Sequence, residues 1–200
     1  VYKRQIQAWL LGQYGKKGIE SMAEQFPKEI DIVVYAEEPK PECKYDRIQW
    51  IDLNTAEPEL VKFKNKHKND PVANGELEEI EGGVRRPAEL QVKGGNDKNK
   101  GSFLWAAVRF ANKVFCVVNA VRNSKEYDYV VWIDGDTFSF RPIPMSFFEQ
   151  LLPQDTMLTY LGRENPKLND GGKYPECGFV GYNLKHPEMQ NFINDWEKLY

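Results

Sequence analysis

Apolar and polar positions alternate in blocks along this chain, and the blocks predict strands and helices in turn. Residues 30–36, IDIVVYA, are β-branched and apolar and are stopped by EEPKPE, the pattern of a buried strand. Before them, GKKGIESMAEQF sets Ile19, Met22, Ala23 and Phe26 on one side of a short amphipathic helix that Pro27 ends. RIQWIDL, residues 47–53, predicts a second strand. Pro58 then opens a helix over PELVKFKNKHK, because a first turn tolerates proline. The strongest helix is SFLWAAVRFANKVFCVVNAVRN, residues 102–123. Leu104, Val108, Ala111, Phe115 and Val118 recur there at helical spacing, and Ser102 can cap it. YDYVVWID, residues 127–134, follows at once and is nearly all apolar after Asp128, which predicts a central strand buried on both faces.

A turn carrying Arg141, Pro142 and Pro144 leads to a short helix around MSFFEQLL. TMLTYLG and GFVGYN predict two further strands separated by a loop over 164–177, and a last helix runs from Pro187. IQAWLLGQ, near the start, has a poorer pattern and is a candidate opening strand. Residues 69–101 carry Gly75, Gly82, Gly83, Gly94, Gly95 and Gly101 among Asn and Asp, a long irregular segment of the kind that is usually functional or disordered. The βα alternation implies an α/β fold with helices on both faces of the sheet, in a single domain over residues 1–200.

Composition narrows the function classes. Lys+Arg total 27 against 30 Asp+Glu, a net charge of −3, which argues against a general nucleic-acid binder. No apolar run approaches the roughly 20 residues that span a bilayer. Cys43, Cys116 and Cys177 are odd in number and lack metal-ligand spacing, which suits a reducing, cytoplasmic setting better than a disulfide framework. Since the chain begins with Val1 and stops at Tyr200 inside a helical pattern, a fragment truncated at both ends is expected.

The chemistry concentrates at Asp134-Gly135-Asp136. The apolar strand runs straight into two carboxylates, and ligands of open α/β sheets bind beyond the carboxyl ends of strands. Two like charges so close need a partner or a raised pKa. A divalent cation, Mg²⁺ or Mn²⁺, is the natural partner, being typically held by one or two carboxylates plus substrate phosphates. A pair of aspartates ending a strand in an ordinary turn is the plain alternative. The apolar strand before the pair and the aromatic-proline turn after it favour the metal.

VVWIDGDTFSFRPIP resembles the D-x-D strand of nucleotide-sugar-dependent glycosyltransferases of the GT-A type. YGKKGIESM, PKEIDIVVYAEE and VRFANKVFCVVNAVRN are similar to the helices and strand that precede it in bacterial and phage glycosyltransferase-like proteins, and YPECGFVGYNLKHP to their later strand. The resemblance implies a Rossmann-like GT-A fold with a mixed, mainly parallel sheet flanked by helices. It also implies transfer of a sugar from a nucleoside diphosphate donor to an acceptor hydroxyl. On this chain Asp136 would be the direct metal ligand, and Asp134 would contact the ribose or the metal's water shell. Arg109 and Lys113, four apart on the helix, would bind the diphosphate, the alternative being a solvated face. Glu176, Cys177, Gly178 and Gly181 fall at the sugar or acceptor edge. There Gly178 and Gly181 would be small to admit a ligand, and Glu176 would be the base that deprotonates the acceptor.

Plainer expectations cover the remaining candidates. Cys177 is expected to be a small buried residue, Arg163 a surface arginine, His67 part of a basic helix face and His186 a helix-start residue. Trp105, Trp132 and Tyr160 are expected in the core, and Glu76, Glu78, Glu79 and Glu81 in solvent. Two rival functions remain. One is a non-catalytic nucleotide-sugar or carbohydrate binding protein on the same fold. The other is a phosphatase of the haloacid dehalogenase type, whose motif wants Thr or Val where Phe138 stands.

Overall fold

The structure is a computed structural model, and it describes residues 4–10, 12–37, 40, 42–70, 73–74, 106–164 and 173–200. The chain opens with β1 (Arg4–Leu10), α1 (Gly12–Gln25), β2 (Ile30–Ala36) and β3 (Ile48–Asp52). It continues through α2 (Leu53–Ala56), α3 (Pro58–His67), α4 (Ala107–Asn123) and β4 (Tyr129–Ile133). It closes with α5 (Met145–Leu151), β5 (Leu158–Glu164), β6 (Lys173–Asn183) and α6 (Met189–Lys198).

The strands form one six-stranded sheet in the order β3-β2-β1-β4-β6-β5. β1 pairs in parallel with both β2 and β4, and β2 in parallel with β3. β6 is antiparallel to both β4 and β5. The result is a mixed, mainly parallel α/β sheet of broadly Rossmann-like form. The poorly patterned opening segment becomes β1, at the middle of the sheet.

Each face buries its own core, because alternate strand residues point to opposite sides. Val33 and Tyr35 of β2 and Val130 and Trp132 of β4 meet α4, with Leu60 of α3 and Ile193 of α6 beside them. On the other face, Ile32, Val34, Val131 and Ile133 meet Ile19, Met22 and Ala23 of α1 and Phe148 of α5. Every residue of β4 is buried, as a strand covered on both faces requires. α4 is buried well beyond one stripe, from Ala111 through Val118 apart from Lys113, because α3 and α6 pack onto its outer side. Arg47 holds the end of α1, donating to the carbonyls of Ala23, Phe26, Pro27 and Ile30 at 2.6–3.2 Å.

Three expectations need correction. The long helix starts at Ala107 with Ala106 at its N-cap, whereas Ser102, Leu104 and Trp105 lie outside the described residues. β6 begins at Lys173 and not at Gly178, so the loop expected over 164–177 is mostly strand at its far end. Pro175 and the charged residues beside it hide that strand in the sequence; it forms because residues 173–176 pair with β5 alone, beyond a register shift at Tyr160/Leu161. The strand expected over 47–53 ends at Asp52, and Leu53 already belongs to α2. It follows β3 without a break because the Asp52 carboxylate accepts from the amides of Asn54 (3.0 Å) and Thr55 (3.3 Å).

Of the 69–101 segment, only the short stretches 69–70 and 73–74 are described, and Glu76, Glu78, Glu79 and Glu81 fall outside. Cys43, Cys116 and Cys177 form no disulfide. Among the described residues, no helix is long and apolar enough to cross a membrane.

Candidate functional site

β1 has β2 on one side and β4 on the other, so the strand order reverses between β1 and β4. In open α/β sheets the crevice beyond the carboxyl ends of the strands at such a point is where ligands bind. Asp134 is the first residue past the carboxyl end of β4. Its amide donates to the Gly178 carbonyl of β6 at 3.0 Å, and its carbonyl accepts from Thr137 at 3.0 Å, closing the D-G-D segment into a turn.

The two aspartates have different surroundings. Asp134 continues the β4 alternation through Val130 and Trp132, so its side chain falls on the α4 face of the sheet. Its Oδ1 accepts from the Trp132 indole N–H at 2.6 Å and from Lys113 Nζ at 3.2 Å. Lys113 also donates to the Cys177 carbonyl and sits 4.9 Å from the centre of the Trp132 ring. The Lys113 side chain is 18% exposed and that of Asp134 44%, so the cation is the more buried partner. Asp136 is exposed.

α1 supports the turn from the opposite face. A Cβ on Gly18 would lie 2.8 Å from the Thr137 carbonyl oxygen, with the Gly135 oxygen closer still, so only glycine allows this approach. Ser21 Oγ donates to the Gly18 carbonyl at 2.7 Å and accepts from the Ser139 amide at 3.1 Å. On that same face a hollow of about 770 Å³ runs along the segment that follows the turn. Ile133, Thr137, Phe140, Phe147, Leu161 and Gly178 are among its walls, and Phe140 is 95% exposed.

The sequence candidates therefore separate. Asp134, Asp136, Lys113 and the Gly178 backbone come together at the turn. Lys113 is not on a solvated face but pinned to Asp134, and Arg109, one turn earlier on α4, is exposed. Glu176 lies on β6 opposite Leu161 of β5, with its side chain outside what is described, as is that of Arg163. Gly181 is small for another reason than ligand access: a Cβ there would strike Leu152 and Thr159 Oγ1, the latter at 2.5 Å. Cys177 is exposed rather than buried, and Tyr160 on β5 is 51% exposed rather than in the core. Trp132 is core, as expected, but its indole also orients Asp134. His186 accepts the Glu188 amide through Nδ1 at 3.2 Å just before α6, the helix-start role expected of it. His67, on α3, packs against Phe63.

A further group on the same edge went unnoticed in the sequence. Glu37, just past the carboxyl end of β2, accepts from Asn112 Nδ2 at 3.1 Å and from Lys64. Asn112 is buried on α4 next to Lys113, and its Oδ1 has no hydrogen-bond partner among the described residues. The position of Glu37 directly after a buried strand was the signal available.

Among the described residues, no group of three or more His, Cys, Asp and Glu is arranged to hold a metal. The donor set at the turn suits a cation that takes one or two carboxylates and completes its shell with water and substrate phosphates, as Mg²⁺ and Mn²⁺ do, and not an all-protein cage.

No protein-family model matches the chain, and no curated protein sequence matches it. Among solved structures it is similar to the WbbM bifunctional glycosyltransferase in its apo form, at 13% identity and a TM-score of 0.48, over 99% of this chain and 34% of that one. It is also similar to mouse xyloside xylosyltransferase 1 in its apo form, at 14% identity and a TM-score of 0.48, over 99% of this chain and 74% of that one. The chain thus spans about a third of the length of the first of these.

Proposed function

We propose that this chain is a metal-dependent glycosyltransferase domain of the GT-A type that moves a sugar from a nucleoside diphosphate donor to an acceptor hydroxyl. The observation that carries the proposal is the D-G-D turn at the carboxyl end of β4, at the reversal of strand order, with Lys113 against it. The resemblance of VVWIDGDTFSFRPIP to the D-x-D strand of that family agrees with it.

In this reading Asp136, exposed at the tip of the turn, and Asp134 would hold the divalent cation against the donor diphosphate. The cation would supply fixed positive charge where the departing diphosphate becomes more negative. Lys113 adds a second positive charge at the same place. Trp132 fixes the rotamer of Asp134, and α1 fixes the backbone of the turn through Gly18. The hollow beside Thr137 and Gly178 gives room for the acceptor, with Glu176 as the proposed base.

The test is calorimetry with nucleoside diphosphates and their sugars, with and without Mn²⁺. The wild-type chain should bind one of them in a Mn²⁺-dependent manner, and Asp136→Ala should abolish that binding without changing the circular dichroism spectrum. Unchanged binding in Asp136→Ala would refute the site. Binding of the donor without turnover of any acceptor would point to a carbohydrate- or nucleotide-binding role.

A further inference from the structure

Lys113 holds the position at Asp134 that a bound cation would otherwise neutralise. Its Nζ lies 3.2 Å from Oδ1, the same oxygen that takes the Trp132 N–H. The ammonium lies between the Trp132 ring at 4.9 Å and the Cys177 carbonyl, on a side chain that is 18% exposed. A partly buried ammonium is held by its counter-charge, so it gives up Asp134 most readily when another anion meets it. A divalent cation brought to the same carboxylate would stand a few ångströms from this fixed positive charge and be repelled by it.

We propose that Lys113 is a built-in competitor of the divalent cation: it keeps the metal site weak in the free protein and yields Asp134 only when a diphosphate arrives to pair with it. Metal and diphosphate therefore bind as a coupled pair, each strengthening the other by the same factor. Asp136 would hold the metal first, and Asp134 would be released to it when Lys113 pairs with the diphosphate. The inference rests on the reading of the D-G-D turn as a metal-diphosphate site.

The test is Mn²⁺ titration followed by electron paramagnetic resonance, on wild type, Lys113→Met and Lys113→Arg, without nucleotide and then with UDP, GDP or ADP. Removing the charge should raise the Mn²⁺ affinity of the nucleotide-free protein about tenfold, the scale of one nearby charge in a partly exposed site. The strengthening of Mn²⁺ binding by the diphosphate should shrink in Lys113→Met. Lys113→Arg, which keeps the charge, should stay close to wild type. A purely structural lysine would lower metal affinity or leave it alone when replaced. The proposal is overturned if folded Lys113→Met binds Mn²⁺ no more tightly than wild type, or if Lys113→Arg rises as far as Lys113→Met. Should methionine prevent folding, Lys113→Gln carries the same comparison. If Asp136→Ala abolishes Mn²⁺ binding while Lys113→Met changes nothing, this inference alone fails. If Asp136→Ala has no effect either, the site itself was misread.

Discussion

Gly18→Ala isolates the packing of α1 against the D-G-D turn. Inside a helix, replacing glycine by alanine ordinarily stabilises by about 1 kcal/mol. At this position the new Cβ would lie 2.8 Å from the Thr137 oxygen, with the Gly135 oxygen nearer still. Both atoms are backbone, so neither can rotate away as a side-chain end would. The helix or the turn must shift, and forced overpacking of this kind costs about 1–3 kcal/mol. With two rigid backbone oxygens in the way the cost belongs in the upper part of that range, about 2–3 kcal/mol, so the balance is a loss of about 1–2 kcal/mol where helix propensity alone gives a gain. For a chain of this size each kcal/mol moves the melting temperature by about 2–4 °C. Calorimetric melting, with urea denaturation as a second measure, should place the variant roughly 2–8 °C below wild type. Because the strain falls on the turn, Mn²⁺-dependent binding of nucleoside diphosphate should weaken as well. A variant melting at or above the wild-type temperature would show that α1 does not press on the turn, and the proposed support for Asp134 and Asp136 would be lost.

Trp132→Phe removes the indole N–H from Asp134 while leaving most of the core volume. It should destabilise by about 1–2 kcal/mol, a charge-assisted hydrogen bond discounted for the half-exposed carboxylate, and weaken metal-dependent binding. Unfolding curves and calorimetry read the two effects separately. Glu57 is buried, with Oε1 accepting from Asn119 Nδ2 at 2.6 Å. Burial is the main reason its pKa stands above the usual 4.5, outweighing the Asn119 bond. A raised carboxylate pKa means that the folded state binds more protons than the unfolded one in the window just above 4.5, so this group's contribution weakens stability as pH rises through that window. Glu57→Gln keeps an acceptor for Asn119 and should be neutral or stabilising at pH 7, with a flatter dependence of stability on pH above 4.5. Urea midpoints across that range measure it, and a clear loss of stability at pH 7 would refute the argument.

Local pattern was enough for the strands and helices whose apolar residues repeat without interruption. IDIVVYA, YVVWI and the amphipathic stripe of Ile19, Met22, Ala23 and Phe26 all lie where their periodicity puts them. Pattern failed where long-range pairing makes the structure. β6 runs through Pro175 because β5 lies alongside it, and β1, which has no clear alternation, is held on both sides by β2 and β4. Gly181 shows the same limit. The resemblance implied a small residue that admits a ligand, while Leu152 and Thr159 fill that space from other elements.

The sequence alone determined that two carboxylates follow a buried strand and that a lysine stands on the helix before it. It did not determine that they touch. Lys113 reaches Asp134 across 21 residues and the Cys177 carbonyl across 64, distances in sequence that carry no local signal. Only the stacking of α4 on β4 and the pairing of β4 with β6 bring the three together, because an ion pair is fixed by positions in space while periodicity records only which side of an element a residue occupies.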